Sequence, residues 1–323
     1  MFVCFMDASK AFDRINHSLL IRKLFNRNIP FYLIRLIHVW YNSQSICVKW
    51  GAALSNFFTV SNGIRQGSIL SPLLFNLYFD TLSLDLNQLD VGCYFNYITT
   101  NHLMYADDVI LVCPSTHGLQ KLIDTCGKFG IEHDVIFNDK KTVCMAFKTG
   151  KYKNFDFPNF RLNNCDLQFV SQYKYLGHVI TDDLCDDEDI HRQLSHLYAR
   201  GNTLVRLFNR CSNSVKSVLF NTHITNIYCS HLWSSYKVSS FNVFRVAYNN
   251  IFRSLFNVPR HIEGITVSVS EAQSANRIAT ANVAIGRVGK SLLTRLNTSD
   301  NRIVSRFVET QLYQCSPLVD KFG

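Results

Sequence analysis

No two cysteines stand as a C-x-x-C pair, although the chain of 323 residues carries eleven of them. Cys4, Cys47, Cys93, Cys113, Cys126 and Cys144 are scattered, mostly inside apolar runs, which argues for reduced buried thiols rather than a disulfide or zinc framework. The residues from Met1 onward lack the pattern of a secretory signal, so an intracellular protein is expected. No apolar run nears the roughly 20 residues of a membrane-spanning helix, the longest being of the order of residues 2–6 and 109–113. No membrane partner is expected. Internal repeats and low-complexity tracts are absent too, and with 47% hydrophobic residues the chain can bury a sizeable core. Acid is the scarcer charge: 24 Asp and Glu against 33 Lys and Arg give +9 at pH 7, which favours a polyanionic partner without identifying one.

What is present reads first as alternating strands and helices. Residues 1–6 form a β-rich apolar run ending abruptly at Asp7, as a buried strand delivering an acid to its carboxyl end would. A helix follows with Leu19, Leu20, Ile21 and Leu24 inward, then another over 31–41, and a hairpin from 46–50 and 57–60. Gly63 to Gly67 make a turn, and Ser71-Pro72 opens an apolar helix over 73–84, with proline in the first turn where its missing N–H is harmless. Strands are predicted at 91–97, 102–105 and 109–113, the last two joined by Ala106-Asp107-Asp108 into a hairpin with acids at its tip. A helix over 119–129, short strands at 136–137 and 143–147, a polar connection over 148–159 and a strand-like piece over 173–180 complete an α+β domain. Beyond an acidic cluster at 181–188 the pattern is helical, which predicts domains at 1–180, 181–262 and 263–323.

Asp107 and Asp108 lie between apolar β-type residues, so at least one carboxylate sits at a hairpin tip beside a hydrophobic sheet. Adjacent like charges there are costly unless neutralised, and a hard divalent cation such as Mg²⁺ selects carboxylate oxygens. Asp7 ends a strand of the same kind one hundred positions earlier. Two strands in one sheet would gather the three acids around two metals, the arrangement that in-line phosphoryl transfer uses. An acidic turn is the plain alternative for an isolated Asp-Asp pair.

Phe5-Met6-Asp7-Ala8-Ser9-Lys10-Ala11-Phe12-Asp13 resembles motif A of reverse transcriptases. The stretch from Asn62-Gly63-Ile64-Arg65-Gln66-Gly67 through Ser71-Pro72 to Phe75 resembles motif B, and Tyr105-Ala106-Asp107-Asp108 motif C. Phe137-Asn138-Asp139-Lys140-Lys141-Thr142 is similar to motif D and Tyr175-Leu176-Gly177 to the primer-grip motif E. The five stand in family order over residues 1 to about 180, worded as in LINE-like, non-LTR elements rather than retroviruses. The resemblance implies a right-hand polymerase palm followed by an α-helical thumb, and RNA-directed DNA polymerisation with an RNA template, a DNA primer and dNTPs. It implies two Mg²⁺ ions, with Mn²⁺ as a substitute, held by the catalytic acids Asp7, Asp107 and Asp108 and the Ala8 carbonyl; Asp13 is structural in the family pattern. Phe12 would lie under the nucleotide sugar and exclude a 2′-hydroxyl, although a core aromatic is its plain alternative. Arg65, Gln66 and Gly67 would meet the nucleotide, while Lys141 or its competitor Lys140 would give charge or a proton to the departing pyrophosphate. Nucleus or cytoplasmic ribonucleoprotein is the implied location.

From Ile190 through Ile262 there is no Asp or Glu, against Arg192, Arg200, Arg206, Arg210, Lys216, Lys237, Arg245, Arg253 and Arg260. At about 100° per residue, Arg192, His196, Arg200, Arg206 and Arg210 fall within an arc of roughly 120°, with Leu194, Leu197, Leu204 and Phe208 mainly opposite. Such a face suits sequence-independent phosphate contact, or merely solvation. Tyr228, Trp233, Tyr236 and Phe244 are expected mainly in the core, and Cys211, His223, Cys229 and His231 fit no usual zinc spacing. Only six residues precede Asp7, so the fingers of the family are expected to be missing and polymerisation to be weak. A catalytically weak or inactive relic acting as an RNA-binding protein is the alternative function.

Overall fold

A computed structural model of the chain describes residues 1–147 and 158–323, so most of the predicted 148–159 connection lies outside the described residues. Contacts divide the chain into Met1–Val170 and Ser171–Gly323.

The first unit is built on an apolar sheet. Strand β1 (Phe2–Met6) runs antiparallel to β3 (Asp108–Cys113), which forms a hairpin with β2 (His102–Tyr105); on its other side β1 pairs antiparallel with β4 (Val143–Ala146), followed by a parallel edge strand β5 (Gln168–Phe169). The order is β5-β4-β1-β3-β2. β1 is central, which is why Val3, Cys4, Phe5 and Met6 are all buried where an edge strand would alternate. Two further two-residue strands, Ala8–Ser9 and Ile136–Phe137, pair beyond the end of β1.

Four α-helices lie among the described residues of this unit: α1 (His17–Asn26), α2 (Phe31–Asn42), α3 (Ser71–Asn87) and α4 (Thr116–Glu132). Asn16 caps α1 by accepting from the Leu19 N–H, and Ser115 caps α4 by accepting from Gly118. Leu74, Phe75, Tyr78, Phe79, Leu82 and Leu86 recur at helical spacing along α3 and share one core with Leu119, Leu122, Ile123, Cys126 and Phe129 of α4 and with Cys4 and Met6 of the sheet. The strand predicted over 91–97 is instead a tight hairpin, Cys93–Phe95 against Ile98–Thr100. Asn96 and Tyr97 take left-handed φ values of 43° and 64°, and the asparagine tolerates what most residues resist.

Lys23 is the buried cation of this unit, only 8% exposed. Its ammonium donates to the Tyr78 carbonyl at 2.8 Å and to the Thr81 hydroxyl, and sits 5.1 Å from the Tyr78 ring centroid. Burial pulls it down from 10.5 to about 8, against the opposing charge of Asp85. The unfolded chain therefore holds this proton to higher pH than the folded chain, so Lys23 makes stability rise with pH between about 8 and 10.5. Urea melts of wild type and Lys23→Met across that range check it: the wild type should gain about 3 kcal/mol relative to the variant. Parallel curves would show that the ammonium is not desolvated.

The second unit opens with a hairpin, β6 (Gln172–Tyr175) and β7 (His178–Thr181), where the sequence suggested one strand-like piece. Gly177, at φ 82°, lets the chain reverse. The expected division near 181 left this hairpin with the sheet, whereas its contacts place it with the helices that follow. Those are α5 (Asp187–Phe208), α6 (Asn213–Phe220), α7 (Val238–Phe256), α8 (Val269–Ala275), α9 (Ala281–Asn297) and three shorter ones to residue 322. Leu197 and Leu204 of α5 meet Phe244, Tyr248, Ile251 and Phe252 of α7, and Trp233 fills the same core. At Gly201 α5 packs tightly against α7: a Cβ there would lie 2.6–2.7 Å from the Ile251 side chain. Residues from 263 onward share this core through Ile278, Ile285, Tyr313 and Phe322. No helix among the described residues is long and apolar enough to cross a membrane.

Candidate active site

The register of the sheet decides where the acids go. Met6 faces Val109, so the next residues along each strand, Asp7 and Asp108, reach the same end of the sheet. Tyr105 pairs with Asp108 across a two-residue turn of Ala106 and Asp107, which puts the third acid at that tip. Ala106 is held at φ 54°, a left-handed value that an alanine adopts at a cost of about 1–2 kcal/mol. Strain of this kind gathers where a fold must place a side chain.

Asp7 and Asp107 are half-buried and Asp108 is exposed at the rim. The Asp108 carboxyl is pushed above the usual carboxylate range, first by desolvation, then by the charges of Asp107 and Asp7. No ion pair among the described residues involves any of the three. Nor, among those residues, are three His, Cys, Asp or Glu side chains gathered tightly enough to hold a metal by themselves. The acids thus meet as neighbours at one sheet end and not as a closed ligand cage. Mutually repelling carboxylates with no protein cation between them suit a hard divalent ion, whose remaining ligands can be water and phosphate oxygens.

The backbone around Asp7 is fixed from the loop after Phe137. The Asp7 N–H donates to Thr142 Oγ1 at 3.2 Å and its carbonyl accepts from the Asn138 N–H at 2.8 Å. Ala8 is buried and pairs with Phe137. Phe12 is half-buried, its ring stacked on that of Phe75 with centroids 4.3 Å apart. Lys140 and Lys141 are both exposed on the turn that follows Asn138, which keeps either available for the role assigned to one of them.

Gly63 and Gly67 serve different needs. At Gly63, φ is 89° and a Cβ would lie 2.8 Å from the Asp13 carbonyl oxygen, so only glycine fits. Its N–H donates to the Ile15 carbonyl, and the Ile64 N–H donates to the Phe12 carbonyl, both at 2.8 Å. The turn after Phe12 and the glycine loop are thereby stitched together. At Gly67, φ is 85° and nothing lies within 4 Å of a Cβ, so the backbone is open to approach. Arg65, Gln66 and Gly67 are exposed; Arg65 Nε donates to Gln44 Oε1 at 3.1 Å. A cavity of about 620 Å³ lies beside the loop, lined by Asp13, Gln44, Phe58, Asn62, Arg65 and Gln66 among others.

In the second unit Tyr175, Leu176 and Gly177 form the tip of the β6–β7 hairpin, with Leu176 at φ 44°. Two side chains hold that tip: Arg192 Nη2 donates to the Gly177 carbonyl at 2.6 Å, and the Tyr228 hydroxyl donates to the Leu176 carbonyl at 2.9 Å. Arg192 is further tied to Asp189 at 2.6 Å. Helical spacing grouped Arg192 with Arg200, Arg206 and Arg210, but it turns inward while the other three are exposed. Asp189 is the reason, and its i,i+3 spacing from Arg192 was the available signal. Thr142 and Tyr228, whose partners lie far off in sequence, gave none. Trp233 and Phe244 are fully buried, as expected of core aromatics, whereas Tyr228 is exposed.

Residues 1–180 match the family described as reverse transcriptase (RNA-dependent DNA polymerase). The chain is 30% identical over 123 residues to the retrovirus-related Pol polyprotein from type-2 retrotransposable element R2DM of Drosophila melanogaster, covering 38% of this chain and 12% of that protein. It is 22% identical over 326 residues to the RNA-directed DNA polymerase from mobile element jockey of Drosophila funebris, covering 97% of this chain and 34% of that protein. The chain therefore spans about a third or less of these relatives. A solved apo telomerase from Candida tropicalis is 13% identical with a TM-score of 0.46, over 94% of this chain and 47% of that one.

Proposed function

This chain belongs to the reverse transcriptase (RNA-dependent DNA polymerase) family, and from that premise we propose that it carries the palm and thumb of an RNA-directed DNA polymerase of the non-LTR retrotransposon kind. The observation that carries this reading is the β1–β3 register, which brings Asp7 to Asp107 and Asp108 across one hundred positions of chain.

Members of this family use divalent metal ions. In this chain Asp7, Asp107 and Asp108, with the Ala8 carbonyl, would hold two Mg²⁺ ions or Mn²⁺ in their place, which when bound neutralise the triphosphate and make the primer hydroxyl more acidic. The reaction joins the 3′-oxygen of a DNA primer to the α-phosphorus of a dNTP and breaks the bond to pyrophosphate. Arg65, Gln66 and the open backbone at Gly67 position the nucleotide, and the Phe12 ring excludes a ribose 2′-hydroxyl. Lys141, or Lys140 beside it on the same exposed turn, gives a proton to the leaving pyrophosphate. Tyr175, Leu176 and Gly177 seat the primer end. Arg200, Arg206 and Arg210 lie on the acid-free stretch and meet the phosphates of the RNA template and growing strand without regard to sequence. Arg192 acts at one remove, by bracing the hairpin tip. The setting is intracellular, in the nucleus or a cytoplasmic ribonucleoprotein.

The test is dTTP binding to the chain, and dTTP addition to oligo(dT) on poly(rA), with and without Mg²⁺ or Mn²⁺. Nucleotide binding that requires the metal, with templated addition, is the expected result. RNA binding without any metal-dependent nucleotide binding would make the chain an RNA-binding protein instead.

A further inference from the structure

We propose that Thr142 and Asn138 form a clamp that positions Asp7, so that the turn carrying Lys140 and Lys141 also sets the aim of the acid; this rests on the polymerase reading above. Asp7 stands one residue past the end of β1, where the ladder no longer holds the backbone. Both of its main-chain polar groups are taken up by one five-residue turn. The N–H donates to Thr142 Oγ1 at 3.2 Å, and the carbonyl accepts from the Asn138 N–H at 2.8 Å.

The turn is itself closed. The Thr142 N–H donates to the Asn138 carbonyl at 2.8 Å, and Asn138 Oδ1 accepts from the Lys140 and Lys141 N–H groups at 3.0 and 3.3 Å. Thr142 is wholly buried, so its hydroxyl has no water to exchange with. Fixing both the N–H and the C=O of a residue leaves its Cα–Cβ direction little freedom, and for Asp7 that direction sets where the carboxylate stands against Asp107 and Asp108. The same turn presents its two lysines to solvent. Metal-holding carboxylate and proton-giving ammonium are thus spaced by a single closed turn.

A β-branched residue without the hydroxyl is the natural probe. Thr142→Val keeps the shape and removes the acceptor, while Thr142→Ser keeps the acceptor. Mn²⁺ binding in the presence of dTTP, followed by electron paramagnetic resonance, reads the effect without requiring turnover. Thr142→Val should weaken binding by about 10- to 100-fold, the usual size for loss of a group that orients a ligand. Thr142→Ser should stay within about twofold of wild type by the same reasoning. RNA affinity, which a general loss of structure would move, should not change. Should Thr142→Val fail to fold, Asn138→Ala, which loosens the turn from its half-buried side, takes its place with the same direction expected. Wild-type Mn²⁺·dTTP binding in Thr142→Val, or equal weakening in the serine variant, would overturn the clamp. Asp7→Asn separates the two ideas: if it leaves Mn²⁺·dTTP binding untouched the polymerase reading fails, and if it alone weakens binding only the clamp fails.

Discussion

Asp108→Asn should lower metal-dependent primer extension by about 10³-fold or more, roughly 4 kcal/mol of transition-state stabilisation, and should do so while raising the melting temperature. The two effects share one cause. Asp7, Asp107 and Asp108 reach the same end of the sheet, where desolvation first, and then the charges of Asp107 and Asp7, push the Asp108 carboxyl above its ordinary range. A carboxyl whose folded value is raised gives up its proton more readily in the unfolded chain. Stability therefore falls as pH rises through that range and stays lower at neutrality. Replacing the charge by an amide removes this penalty together with the affinity for a cation. Asp7→Asn should lower primer extension likewise, and a parallel loss of dTTP binding ties both to the nucleotide. Measured extension rates and thermal melts decide the matter. An asparagine variant that still extends primers at the wild-type rate would place the chemistry elsewhere, and one that melts lower would show the acids to be structural.

That pairing of gain and loss sorts what the sequence could and could not reveal. The strands that deliver the acids were legible because each is a short apolar run that stops at a charge, as at Met6-Asp7 and Asp108-Val109. The apolar stripe of α3 was legible for the same kind of reason, a period of 3.6 carried by local residues. Turns fared worse where the reversing residue sat inside a β-rich run. The pieces around 91–97 and 173–180 read as single strands, yet Asn96-Tyr97 and Leu176-Gly177 fold each into a hairpin. Side-chain orientation was the least legible. A helical wheel put Arg192 on the same arc as Arg200 and Arg206, but a wheel has no knowledge of a buried acid one turn earlier that draws the guanidinium inward. Thr142 is a stronger case, since its partner Asp7 is 135 positions away and a buried threonine in a strand-turn context is ordinary.

The same buried acid carries the largest stability effect to be expected in the second unit. Asp189 is fully buried. Oδ1 accepts from Arg192 Nη2 at 2.6 Å and from the Val179 N–H at 3.1 Å, while Oδ2 accepts from the Trp233 indole N–H at 2.8 Å. His178 Nδ1 lies 3.1 Å from Oδ2, without the alignment of a hydrogen bond. Burial by itself opposes ionisation of Asp189, but His178, Trp233, Arg192 and the Val179 N–H outweigh it and bring the carboxyl to about 2. Asp189→Ala strands the indole N–H and leaves the Arg192 guanidinium with the Gly177 carbonyl alone, which costs about 3–5 kcal/mol. For a unit of this size that lowers the melting temperature by roughly 10 °C, readable by calorimetry. The pH dependence has a definite sign. With a folded value near 2 against 3.8 when unfolded, the contribution of the charge is complete above about pH 4 and is lost as pH falls towards 2. The gap between wild type and Asp189→Asn should accordingly shrink by about 2 kcal/mol over that window. A gap that stayed constant would mean that the carboxylate acts only as a neutral acceptor. Because Arg192 also donates to the Gly177 carbonyl, freeing it should slacken the Leu176-Gly177 tip. If that tip seats the primer end, Asp189→Asn raises the KM for primer–template well above its effect on the KM for dTTP at temperatures where the unit is still folded.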